Sequence, residues 1–207
     1  MSAVGAWPAF DAAVCVLPCY VRLAARELRG TDVKVATVVS FPFGADTTAV
    51  KAAAIRDAMG GGASELDVVM NISKFLSGGF AYVAEELSSL NGEVSAVAIN
   101  NGLNDAVLKV IIETTYLSDN MKRLAVQIVA ASGADFVKTS TGFGPRVAAE
   151  DVALLREEAP EGLAVKASGG IRTLEEALDL LNAGASRLGT SSSVKIMREA
   201  ESGGLQE

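Results

Sequence analysis

The sequence predicts an α/β fold, read as a (β/α)8 barrel of parallel strands that is one strand–helix unit short of eight. Three observations carry this reading. Short apolar, β-rich runs recur at intervals close to the length of one strand–helix unit. Helix start and stop signals lie between most of them, and strict alternation of strand and helix implies a parallel sheet. The residues able to do chemistry stand at the carboxyl ends of these runs along the whole chain, as a barrel requires. At 207 residues the chain is near the low end for such a barrel. An open doubly wound sheet is the rival, but no dinucleotide fingerprint follows the first run, where the chain reads Leu17-Pro-Cys-Tyr20.

The runs in order are Ala13-Val-Cys-Val-Leu17, Val33-Lys-Val-Ala-Thr-Val-Val39, Glu65-Leu-Asp-Val-Val-Met70 and Leu108-Lys-Val-Ile-Ile-Glu-Thr114. Asp135-Phe-Val-Lys138, Leu163-Ala-Val-Lys166 and Ser186-Arg-Leu-Gly189 complete the set. Their near-continuous hydrophobicity suits strands buried on both faces. Between them, Asp46-Thr-Thr-Ala-Val-Lys51 opens an Ala-rich helix that ends at Gly60-Gly-Gly62. Ser118-Asp-Asn precedes a helix from Met121 to Ala131, closed by Gly133. Thr173-Leu-Glu-Glu176 has capping-box spacing, and its helix stops near Gly184. No linker, low-complexity block or charge run divides the chain, so residues 1–207 are read as one domain.

Composition narrows the function classes. Half of the residues are hydrophobic and 21% are charged, as in a soluble α/β protein with a substantial core. A net charge of −7 argues against a nucleic-acid surface or a polybasic membrane patch. No apolar run is long enough to span a bilayer, and Met1-Ser-Ala-Val-Gly-Ala-Trp-Pro lacks the features of a secretory signal. The expected location is the cytoplasm, with neither membrane nor nucleic acid as partner. Cys15 and Cys19 are the only cysteines, and Cys15 reads as a small apolar strand residue. With no histidine, Ser-His-Asp and Cys-His triads and histidine-ligated metals are excluded. Acid–base work falls to Lys, Asp, Glu, Tyr or water.

Two lysines then stand out. Lys138 and Lys166 each end a short apolar run and are followed by small hydroxyl and glycine residues. Alternation along a strand puts Phe136, Lys138 and Ser140 on one face, and Ala164, Lys166 and Ser168 on one face of the next strand. At an assumed separation of ~6 Å and an effective dielectric of ~20, two ammonium groups repel by roughly 3 kcal/mol, or about two pKa units. Desolvation lowers the pKa further, so one lysine becomes a nucleophile able to form a Schiff base. Asp67 interrupts an apolar strand, where an unpaired charge is costly, and an inward lysine is its natural partner. Lys109 and Glu113 share a strand face and either join this network or pair with each other. Thr139-Ser-Thr-Gly142, Ser168-Gly-Gly170 and Gly189-Thr-Ser-Ser192 read as phosphate holders, since small residues let backbone N–H groups approach an anion.

Taken together, Val14-Cys-Val-Leu-Pro18, Phe41-Pro-Phe-Gly44, Glu65-Leu-Asp-Val-Val69 and Lys109-Val-Ile-Ile-Glu-Thr114 resemble the deoxyribose-phosphate aldolase family. So do Val137-Lys-Thr-Ser-Thr-Gly-Phe143, Val165-Lys-Ala-Ser-Gly-Gly-Ile-Arg172 and Gly189-Thr-Ser-Ser192. The resemblance implies a (β/α)8 TIM barrel and a class I aldolase that needs no metal or other cofactor. The implied substrate is 2-deoxy-D-ribose 5-phosphate, cleaved reversibly to D-glyceraldehyde 3-phosphate and acetaldehyde. It matches Lys138 to the Schiff-base lysine, Lys166 to the lysine that tunes it and Asp67 to the carboxylate of the proton relay. It also matches Gly142, Gly169, Gly170, Ser191 and Ser192 to phosphate-binding positions, with Thr139 added from the loop reading. A homodimer or homotetramer is implied.

Three departures from the family pattern accompany the match. The usual first strand, roughly Ile-Asp-His-Thr-Leu-Leu, and its helix have no counterpart in Met1 to Ala13. Leu17 stands where asparagine is common, and Ser40 where glycine is common before Phe-Pro. The first departure keeps two other readings open: an aldolase for a different phosphorylated sugar, and an inactive sugar-phosphate-binding or structural remnant.

Overall fold

The structure, a computed structural model, describes residues 13–203. Seven strands alternate with helices: β1 (Ala13–Val16), α1 (Val21–Glu27), β2 (Lys34–Val39), α2 (Thr48–Gly60), β3 (Glu65–Val69), α3 (Ile72–Leu76) and α4 (Phe80–Asn101). The chain continues through β4 (Val107–Ile111), α5 (Asp119–Ala131), β5 (Phe136–Lys138), α6 (Ala149–Glu158), β6 (Ala164–Ser168), α7 (Leu174–Asn182), β7 (Arg187–Gly189) and α8 (Ser193–Gly203). All strands are parallel and lie in chain order in one sheet.

The sheet curls. Neighbouring strands are about 4.8 Å apart, so β3 and β7 would be some 19 Å apart in a flat sheet. Yet Arg187 of β7 donates to Glu65 of β3 at 2.6 Å. The architecture is therefore a (β/α) barrel of seven strands that is not closed by pairing of its two edges among the described residues. Among the described residues, β1 pairs with β2 alone and β7 with β6 alone. Val14 on β1 is 42% exposed. The reading of Met1 to Ala13 as lacking a first strand falls almost wholly on residues 1–12, outside the described residues.

Helix boundaries follow local chemistry. Thr173 accepts from Glu176 N–H while the Glu176 carboxylate accepts from Thr173 N–H, the capping box expected for α7. Ser118 caps α5 through Met121 N–H. For α2 the start shifts by two residues: Thr47 is the N-cap without a side-chain bond, while Asp46 N–H is held by Ser40 Oγ. Helices α1, α4 and α6 carry no side-chain N-cap bond, so no such capping signal marked them in the sequence.

The apolar layer lies between sheet and helices. Leu66, Val68, Leu108, Val110, Val137 and Val165 pack with Ile55, Leu87, Leu90, Val126, Val129, Val152 and Leu155, all buried. Each such side chain contributes roughly 1.5–3 kcal/mol of hydrophobic stabilisation. One ion pair interrupts this layer. Lys51 of α2 donates to Glu86 of α4 at 2.8 Å and to the Val69 carbonyl at 2.9 Å, and Glu86 also accepts from Asn71 N–H. Burial drives the Lys51 pKa down and the Glu86 pKa up, against their mutual attraction. Lys51→Met strands Glu86 in an apolar layer and is expected to cost about 3–5 kcal/mol, whereas the double replacement Lys51→Met with Glu86→Leu is expected to recover most of it. Urea midpoints of the two variants check this.

Candidate active site

Alternation along the strands separates two faces. Leu66, Val68 and Val110 point to the helices, so Glu65, Asp67 and Lys109 point into the barrel. There Asp67, fully buried, is the centre of a cation cluster. Its Oδ2 accepts from Lys138 Nζ and from Lys166 Nζ, each at 2.6 Å. Its Oδ1 lies 3.0 Å from Lys109 Nζ, which is also 2.7 Å from Glu65 Oε2. Arg187 closes the far side of Glu65 and stacks over the Phe136 ring at 5.0 Å. Lys138 and Lys166 are register partners on β5 and β6, which is why two side chains from neighbouring strands reach one oxygen.

The cluster holds four cationic side chains, Lys109, Lys138, Lys166 and Arg187, against two carboxylates, Glu65 and Asp67. That excess fixes the titration. Burial alone would raise the Asp67 pKa, but Lys138, Lys166 and Lys109 outweigh it and hold the carboxyl far below its ordinary range. For Lys166, burial pushes the pKa down, Asp67 opposes, and Lys138 and Lys109 add to the lowering. Lys138 and Lys166 are neighbours, and Asp67, read from the sequence as a lysine's partner, accepts from both of them.

The Lys166 shift predicts a pH dependence. Its folded pKa lies below the ordinary 10.5. At pH below the folded value the cost of burying the ammonium is fully present. It is relieved as pH rises from the folded value toward 10.5, because there the unfolded chain binds more protons than the native one. Wild-type stability should therefore carry an upward contribution on the alkaline side that Lys166→Met lacks. Urea unfolding of both proteins across that range measures the difference in slope.

Beside the lysines lies a cleft of about 620 Å³ lined by Cys15, Lys138, Gly142, Gly169, Gly170 and Ser191, with Arg146 and Arg172 at its rim. The amide N–H groups of Gly142, Gly169, Gly170 and Ser191 make no hydrogen bond to other groups among the described residues. Gly169 and Gly170 turn at φ 112° and 74°, and a Cβ on Gly170 would sit 3.0 Å from the Arg146 side chain. A side chain at Gly170 would be strained by the positive φ and would crowd Arg146. The N-terminus of α8 opens directly after Ser191 and Ser192.

Several residues are placed differently from the sequence reading. Thr139 is buried, and its hydroxyl exchanges hydrogen bonds with Ser168 O and N–H, tying β5 to β6. Ser192 is not among the residues that line the cleft; it lies beside Val194 and Lys195, with its N–H on Thr190 Oγ1. Cys15 is a strand residue, as read, and on β1 it also lines the cleft. Glu113 does not join Lys109: its backbone turns at φ 53° and its carboxylate binds Thr141. Ser40 sits at φ 56°, which gives a physical reason for glycine at this position in the family pattern. Arg146, Arg172, Glu65 and Arg187 were missed. The Ile-Arg pair after Gly170 was the one signal that could have revealed Arg172.

A lysine–carboxylate cluster at the carboxyl ends of parallel strands, next to a glycine-lined cleft, places the protein among the (β/α)-barrel enzymes. Comparison with known proteins narrows this. Residues 8–198 match the DeoC/LacD family aldolase profile, and the chain belongs to that family. The deoxyribose-phosphate aldolase of Caldanaerobacter subterraneus subsp. tengcongensis is 50% identical over 195 residues, covering 94% of this chain and 82% of that protein. Among solved structures, an aldolase designated QR15 superposes with a TM-score of 0.84 at 43% identity, over 93% of this chain and 83% of that one. The tetrameric deoxyribose phosphate aldolase from Aeropyrum pernix superposes with a TM-score of 0.80 at 34% identity, over 91% and 76%.

Proposed function

We propose that this enzyme cleaves 2-deoxy-D-ribose 5-phosphate reversibly to D-glyceraldehyde 3-phosphate and acetaldehyde through a Schiff base on Lys138, with no metal or other cofactor. The observation that carries this reading is the shared Asp67 oxygen, which lies 2.6 Å from both Lys138 and Lys166, with Lys138 itself lining the cleft. Family membership supports the reaction class, and the names of the relatives support the substrate.

In this mechanism the Lys138 amine, in its neutral form, attacks the C1 aldehyde of the open-chain sugar. Lys166, whose lowered pKa favours its own neutral form, stands beside it to exchange protons with the reacting groups. Loss of water gives a protonated imine that withdraws electrons from the adjoining carbons. Because acetaldehyde keeps two carbons, the bond that breaks is C2–C3: the C3 hydroxyl gives up its proton, C3 becomes the aldehyde of glyceraldehyde 3-phosphate, and the electron pair moves to C2 as an enamine. Protonation of C2 and hydrolysis release acetaldehyde and regenerate Lys138. Asp67, Lys166 and water carry the protons.

The phosphate is assigned to the free N–H groups of Gly142, Gly169, Gly170 and Ser191, with Arg146, Arg172 and the start of α8 supplying positive charge. Ser192 and Thr139 support this cradle from behind. The same reading makes residues 1–207 one barrel domain acting in the cytoplasm as a homodimer or homotetramer. The tetrameric Aeropyrum pernix relative supports an assembly, and no described helix is long and apolar enough to cross a membrane. The test is direct: release of glyceraldehyde 3-phosphate from 2-deoxyribose 5-phosphate, compared with other phosphorylated sugars. Faster cleavage of another sugar phosphate would change the substrate. A folded protein that cleaves none of them would contradict the reading.

A further inference from the structure

We infer that Glu113 is a positioning residue that sets the enzyme's affinity for the substrate phosphate by latching the loop that follows Lys138. The inference rests on the reading of Gly142 and its neighbours as the phosphate cradle. Glu113 lies two residues beyond β4, with φ 53° and ψ 72°, a left-handed conformation that non-glycine residues rarely adopt. Its side chain is buried, 3% exposed, although it carries a carboxylate. Strain and burial together need a compensating contact, and the contact is specific.

Glu113 Oε2 accepts from Thr141 N–H at 3.0 Å and from Thr141 Oγ1 at 2.5 Å. Thr141 Oγ1 in turn accepts from Phe143 N–H at 3.3 Å. The latch therefore grips both neighbours of Gly142, whose φ of 92° turns its backbone toward Gly169. Strand pairing cannot do this work, because β5 ends at Lys138. The next backbone ties are Thr114 N–H to Thr139 O on one side and Val147 N–H to Gly169 O on the other. Between Thr139 and Val147 the Glu113–Thr141 contact is the tie that runs from this loop to the end of β4. By holding both donors of Thr141 on the carboxylate, it fixes the backbone beside Gly142, whose N–H has no hydrogen-bond partner among the described residues.

Glu113 touches neither Lys138 nor Asp67, so the latch acts on binding and not on the imine. Three assays on wild type, Glu113→Ala and Glu113→Gln separate these effects: cleavage of 2-deoxyribose 5-phosphate, cleavage of unphosphorylated 2-deoxyribose, and calorimetric binding of inorganic phosphate. Glu113→Ala should raise KM for the phosphorylated sugar and the Kd for inorganic phosphate about tenfold, with kcat within about twofold and kcat/KM for 2-deoxyribose unchanged. Glu113→Gln keeps an acceptor oxygen and should recover most of the affinity. Thr141→Val removes the same hydroxyl bond from the loop side and should reproduce the shift if Glu113→Ala fails to fold. Equal losses on both sugars, or no loss of phosphate affinity, would overturn the latch, as would a wild type that binds no phosphate. A wild type that binds phosphate and cleaves neither sugar would sink the aldolase reading alone, with the phosphate arm still deciding the latch.

Discussion

Lys138→Arg is expected to lower turnover of 2-deoxyribose 5-phosphate by about 10⁴-fold or more while leaving the protein folded. Arginine keeps the positive charge that Asp67 accepts at 2.6 Å, so the electrostatic balance of the cluster is conserved. Its guanidinium, however, stays protonated and offers no free electron pair to a carbonyl carbon. The variant thus separates the Lys138 counter-ion contact with Asp67 from the nucleophilic role proposed for Lys138. Steady-state assay of glyceraldehyde 3-phosphate release, with a urea midpoint to verify folding, checks the prediction. A residual rate within tenfold of wild type would assign the nucleophile elsewhere.

Asp67→Ala should damage both stability and activity. It leaves the Lys138 and Lys166 ammonium groups without their shared acceptor and Lys109 with Glu65 alone. Removing one partner of a buried ion network typically costs about 3–5 kcal/mol, because the remaining charges are neither solvated nor paired. The loss should diminish as pH rises, since deprotonating a lysine relieves the repulsion that Asp67 no longer offsets. Loss of a proton relay adds a further ~10²–10⁴-fold in rate. Asp67→Asn retains shape without charge and should fall between alanine and wild type in stability. Urea midpoints and turnover measured across pH on both variants distinguish the two contributions.

Much of the cluster was legible because its residues violate the pattern around them. An aspartate in Glu65-Leu-Asp-Val-Val69 and lysines closing two apolar runs are costly unless paired, and two lysines at matched strand positions have to meet. The alternating elements gave the fold in the same way, down to the count of seven strands. What stayed hidden depends on shape. The Glu65–Arg187 contact exists because the sheet curls, and no local pattern reports curvature. Lys51 and Glu86 meet between α2 and α4, far apart in sequence and each unremarkable on an amphipathic helix. Glu113 shows the limit of strand alternation. Its spacing from Lys109 predicts a common face, but the strand ends at Ile111 and the left-handed turn carries the carboxylate to Thr141. Thr139 and Ser192 fit a phosphate-loop pattern by composition. The Thr139 hydroxyl is engaged by Ser168, and the Ser192 N–H by Thr190.

The central claim is that Lys138 forms the imine with help from Asp67 and Lys166. Incubating the protein with acetaldehyde and sodium borohydride, followed by peptide mass spectrometry, tests it most directly. The account predicts a reduced ethyl adduct on Lys138 that is absent from Lys138→Arg and forms more slowly in Lys166→Met. An adduct confined to Lys166 or Lys109, or none in a demonstrably folded protein, would contradict it.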